Sequence, residues 1–140
     1  MGAFVLSDVL DDNMMNQRIF EINGNNFDDF SSFIVEFNRC FVSHVGGKWQ
    51  GNLDAFNDYL SWMDQRCTIR WLNSSKSQKD LGYESMVSWL SRNLETCHPS
   101  NRLTVQARLE DAINGHGPTL FEWIVQIIRD NDDYVDLQLI

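Results

Sequence analysis

Residues 18–41 read RIFEINGNNFDDFSSFIVEFNRCF, and a change of rhythm inside this stretch decides the fold. RIFEI alternates Ile and Phe and then breaks at Asn23-Gly24-Asn25, which predicts a strand running into a turn. Beyond the turn, Phe27, Phe30, Phe33, Ile34, Phe37 and Phe41 recur at intervals of three and four. That is the spacing of a helix laying one apolar face on a sheet. The stretch is a strand followed by its covering helix.

Working outward toward the C-terminus, the linker HVGGKWQG holds three of the eight glycines and delivers the chain to Asn52. Asn is a good N-cap, because its side-chain oxygen takes one of the free amides of the first turn. The helix it opens, within GNLDAFNDYL (residues 51–60), places Leu53, Phe56 and Leu60 on one stripe and Asp54 and Asp58 on another. TIRWL, residues 68–72, reads as a second strand, and NSSKSQKDLG after it as a polar, basic loop. Met86, Val87, Leu90 and Leu94 predict a helix over about 83–94, stopped at Cys97-His98-Pro99. Val105, Leu109, Ala112 and Ile113 suggest a short helix closed by Asn114-Gly115. Pro118 sits where a first helical residue is welcome, ahead of Leu120, Ile124, Ile127 and Ile128 on an amphipathic helix running to about Asp130. YVDLQLI closes the chain as a half-exposed edge strand. Three strands separated by helices imply parallel pairing through right-handed crossovers, hence an α/β layer fold.

A chain of 140 residues is of single-domain length, and an apolar share of 43% with five Trp and nine Phe suits a packed core. The first 17 residues are acidic and weakly patterned, a loose leader before a domain spanning 18–140. Eleven Lys and Arg stand against twenty Asp and Glu, a net charge of −9. Such a chain repels nucleic acid and anionic membranes, and it favours a basic protein partner. Cys40, Cys67 and Cys97 are odd in number and far apart, without CxxC spacing, which fits a reducing cytoplasm. The N-terminus lacks the pattern of a signal peptide, position 6 is Leu where a myristoylation motif needs Ser or Thr, and no apolar run is long enough to span a bilayer.

Little else in the chain suggests chemistry. His44, His98 and His116 fall in no metal-ligand spacing, and GxSxG and GxxxxGK[ST] are absent. No cofactor, metal or catalytic centre is expected. Lys76 and Lys79, with Arg70, form the basic cluster and read as a solvated loop or as neutralisers of nearby acids. What stands out is the pair Asp54 and Asp58, four residues apart on one helix with no Lys or Arg inside the stretch. Like charges at that spacing repel by a few tenths of a kcal/mol. Neighbouring acids on one helix face seldom flank a sugar as glycosidase carboxylates do. Two readings remain, a solvated face or an acidic knob aimed at a cationic cleft.

GNLDAFNDYL resembles the barstar family of intracellular ribonuclease inhibitors. The likeness extends through the ING turn with its helix, the strand TIRWLNSSKS, and TLFEWIVQIIRDN with VDLQLI, so that it spans roughly residues 18–140. KSQKDLGYE and CHPSNR point to the longer bacterial branch of that family. The resemblance implies a three-stranded parallel sheet covered by helices, with an inserted helical segment at about 83–117 before the last helix. It also implies an inhibitor, monomeric when free, without catalysis. Such a protein would act as immunity protein or antitoxin, occluding the active site of a small basic ribonuclease or ribonuclease toxin domain with an acidic helix that imitates RNA phosphate. Asp58 matches the acid that occupies the phosphate position, and Asp54 the acid one turn earlier. Trp49, in place of one of a tyrosine pair, would supply aromatic contact, and Asn52 and Asn57 would complete the contact surface. A module that keeps the fold but binds a non-nuclease partner is the alternative.

Overall fold

A computed structural model describes residues 18–140. Three parallel strands form one sheet in the order β1 (Ile19–Asn23), β2 (Cys67–Leu72), β3 (Val135–Leu139). Ile19 pairs with Thr68 and Cys67 with Val135, and each register runs on in step. The central strand is the most enclosed, and β3 lies at an edge as its half-apolar alternation suggests. By that alternation Phe20, Ile22, Cys67, Ile69, Trp71 and Val135 share one face, and all are buried in the core. The charged members of the other face pair across strands, Arg70 with Glu21 and, more loosely, Arg66 with Asp136.

Helix α1 (Phe30–Cys40) starts at Asp29, whose carboxylate accepts from the Ser32 amide while the Ser32 hydroxyl reaches back toward the Asp29 amide. Two free amides of the first turn are thereby satisfied. Phe30, Phe33 and Phe37 then pile one above the next, their rings stacked at 5.9–6.1 Å, and Phe33 stacks on Trp71 of β2 at 5.4 Å. Glu36 is buried on the same helix. Its carboxylate accepts from Arg39 Nε and Nη2, from the Asn23 amide and from the Asn26 side chain, so that both buried oxygens are hydrogen-bonded.

Helix α2 (Leu53–Leu60) leads into β2, and α3 (Ser74–Asp80) follows at once. The polar loop expected here is a helix because tertiary bonds hold it in place. Ser77 is fully buried and accepts from the Trp71 indole, and Lys76 donates to the Gly24 and Phe27 carbonyls and to Asp80. Lys76 is therefore a bolt between α3 and the turn after β1, not part of a solvated loop.

The segment expected as an insertion is a helical hairpin of α4 (Tyr83–Thr96) and α5 (Arg102–Ile113), seated through Met86, Leu90, Val105 and Ala112. Helix α6 (Leu120–Asp130) begins two residues later than Pro118 suggests. Thr119 is its cap, in a reciprocal box with Glu122, and Pro118 stands outside. The leader expected over residues 1–17 lies outside the described residues. Among the described residues no helix is long and apolar enough to cross a membrane.

Candidate functional site

Asn52 caps α2 as the sequence suggests, its side-chain oxygen accepting from the Ala55 amide at 2.9 Å. Leu53, Phe56 and Leu60 are buried, which turns Asp54, Asn57 and Asp58 outward. The ion pairs among the described residues join Arg39 to Glu36, Arg66 to Asp136, Arg70 to Glu21 and Lys76 to Asp80. Neither Asp54 nor Asp58 enters one, and neither carboxylate takes a hydrogen bond from a described residue.

Their positions on the helix differ in kind. Asp54 stands in the first turn, where the partial positive charge of the free amides favours it. Asp58 stands in the last turn of an eight-residue helix, against the partial negative charge of the free carbonyls, and no basic residue shares that turn. Helix dipole and neighbouring carboxylate both work against Asp58. Asp54 lines a groove of about 410 Å³ to which Asp58 does not contribute, so the two acids do not face each other across one cavity.

Trp49 is not a contact residue. It is 1% exposed, edge-on to Phe30, Phe33 and Phe37 and tilted against Phe56 at 5.0 Å. The expectation of an aromatic contact from Trp49 is overturned because the core needs its ring. The residue that places it is Asn38 on α1, which the sequence reading passed over. The Asn38 side chain accepts from the Trp49 amide and donates to the Trp49 carbonyl, both at 2.8 Å. The Trp49 indole in turn donates to the Asn52 carbonyl at 2.7 Å. Core, loop and first turn of α2 are thus one hydrogen-bonded unit. A polar residue one helical turn past Ile34, on the flank of an apolar stripe, was the available signal for Asn38.

Tyr59 also went unread. Its hydroxyl donates to the Lys48 carbonyl at 3.1 Å, and its ring covers Gly47 so closely that any side chain there would collide with it. Trp62, one turn beyond Asp58 and 52% exposed, meets the Tyr59 ring edge-on at 4.6 Å. Trp62 is thus an exposed aromatic four residues after Asp58. Asn57 is exposed, but its side-chain oxygen accepts from Asn131 at 2.7 Å, tying α2 to the end of α6.

The cysteines are thiols. Burial pushes Cys40 up to about 12 and Cys67 up to about 11, leaving both neutral and unreactive near neutral pH, while Cys97 is half-buried. Among the described residues no group of three or more His, Cys, Asp or Glu side chains is placed to hold a metal ion. Comparison with protein-family models, with curated proteins and with solved structures gives no match.

Proposed function

We propose that the chain is a barstar-like inhibitor of a small basic ribonuclease, an immunity protein or antitoxin that plugs the enzyme's active site with α2 and performs no catalysis itself. The observation that carries this reading is a pair of exposed carboxylates, one of them opposed by its own helix, mounted on a helix fixed to the core. An anion held in place without a partner is pre-organised for a cationic pocket. The pocket of a ribonuclease has to be cationic, because it binds phosphate. In the complex Asp58 occupies the position of an RNA phosphate and Asp54 supports it from one turn earlier, while Trp62 and the outer edge of Asn57 flank them. The net charge of −9 speeds the encounter with a basic enzyme and makes it sensitive to salt.

The test is co-expression with small basic ribonucleases, comparing the native chain with Asp58→Ala. The native chain restores growth. The variant fails to do so and binds the purified enzyme at least about a hundredfold more weakly, because the enzyme's cations are left desolvated and unpaired. Equal protection by both chains removes Asp58 from the site. A chain that binds a protein without affecting any ribonuclease would instead be a module of the same fold with a different target.

A further inference from the structure

The hairpin of α4 and α5 does not stand apart from α2. The Trp89 indole on α4 donates to the Gly51 carbonyl at 3.2 Å, and its ring meets Trp123 of α6 edge-on at 5.5 Å. The Arg108 guanidinium on α5 lies over the other ring of that pair, 4.8 Å from the Trp123 centroid. These contacts fasten the hairpin beside the entry to α2 and leave the groove of about 410 Å³ between them. Asn52, Asp54 and Asn57 form one wall, and Asn93, Asn101 and Thr104 form the other.

The chemistry of the walls says what they suit. The side chains of Asn93, Asn101 and Thr104 make no hydrogen bond to a described residue, and the amide nitrogens of Asn52 and Asn57 are likewise unused. Side-chain amides both donate and accept, as a peptide main chain does. Arg108 keeps its charge over Trp123 and, like Asp54, has no ion partner among the described residues, so the hairpin wall carries a free positive charge and the α2 wall a free negative one. An occupant therefore offers main-chain groups along its length and a cation at Asp54, and the chain's net charge rules against nucleic acid.

We propose that α2 and the hairpin together grip a loop of the same basic ribonuclease, its main chain along the amides and one of its Lys or Arg side chains at Asp54. This rests on the inhibitor reading above and extends the interface to a second wall. Thr104 is exposed on α5, so Thr104→Phe fills the groove without touching the hairpin's core. The half-buried thiol of Cys97 lines the same groove and serves as a probe.

The experiment takes the full chain against a panel of small basic ribonucleases, measuring association and dissociation rates and the rate of Cys97 alkylation by iodoacetamide. The expected result is that Thr104→Phe dissociates at least about tenfold faster with little change in association, as is usual for a lost close contact. Bound nuclease also slows alkylation of Cys97 in the native chain. If Asp58→Ala releases the nuclease while Thr104→Phe changes nothing and Cys97 stays equally reactive, the groove proposal is overturned and the inhibitor reading stands. If no ribonuclease of the panel binds the native chain, the two fall together.

Discussion

Glu36 and Asp58 are both helical carboxylates, and the molecule treats them oppositely. Glu36 is 3% exposed and receives four hydrogen bonds, two of them from an arginine on its own helix. Asp58 is exposed, receives none from a described residue, and sits at the unfavourable end of its helix. Where folding buries a charge, the chain supplies every partner the charge needs. Where no partner is supplied among the described residues, the charge is left to solvent, and the fold does not depend on it.

The sharpest way to break this comparison is to remove the mount. Trp49→Ala is expected to cost about 3–5 kcal/mol, the usual range for an aromatic cut from a core, and to abolish inhibition although both acids remain. Urea unfolding gives the stability; a chain that loses less than 1 kcal/mol would show that Trp49 is dispensable. Next in size is Glu36→Gln, which keeps the shape and loses the charge, at about 1.5–3 kcal/mol.

Acid sharpens the second case. Burial works to raise the Glu36 value, but the Arg39 bonds, the Asn23 amide and the Asn26 side chain together outweigh it, and the carboxyl titrates below its ordinary 4.5. A lowered carboxyl contributes stability that is complete above the ordinary value and is lost as the pH falls through the folded one. The gap between the native chain and Glu36→Gln should therefore stay constant near neutrality and narrow below pH 4.5. A gap that widens on acidification would contradict the ion pair.

Asn52→Ala removes the cap of α2 and is expected to cost about 1 kcal/mol, read from the thermal midpoint. The smallest effect has the opposite sign. Asp58→Asn relieves both the neighbouring carboxylate and the helix end, and should stabilise the free protein by a few tenths of a kcal/mol while nuclease binding collapses. A destabilised variant would mean that Asp58 serves the fold after all.

Much of this architecture was legible in advance where one segment carries its own signal. The strand-to-helix switch after Arg18, the cap at Asn52, the central strand TIRWL and the closing edge strand all lie where their local patterns put them. Helix α3 was not legible, because Ser74–Asp80 has no apolar stripe and is held by bonds to Trp71, Gly24 and Phe27, residues distant in sequence. Trp49 misled for a related reason. Its contact role came from the resemblance, in which it stands for one of a tyrosine pair, whereas its burial depends on rings from α1 and α2 and on the Asn38 amide, all distant in sequence or unmarked by local pattern. The outward turn of Asp54 and Asp58 was legible, since Leu53, Phe56 and Leu60 fix which side of α2 faces inward.

The Asn38 clamp on Trp49 has a consequence for how such a surface can change. It locks α2 through main-chain atoms and a buried ring, none of which belongs to the outward row at positions 54, 57, 58 and 61. Asp54 and Asp58 hold no hydrogen bond or ion pair with a described residue and can be exchanged without disturbing the clamp, whereas Asn57 is tied to Asn131 and the Ser61 hydroxyl donates to the Asp58 carbonyl. On the inhibitor reading proposed above, the scaffold is a socket with an exchangeable face, and a change of target needs no change of core.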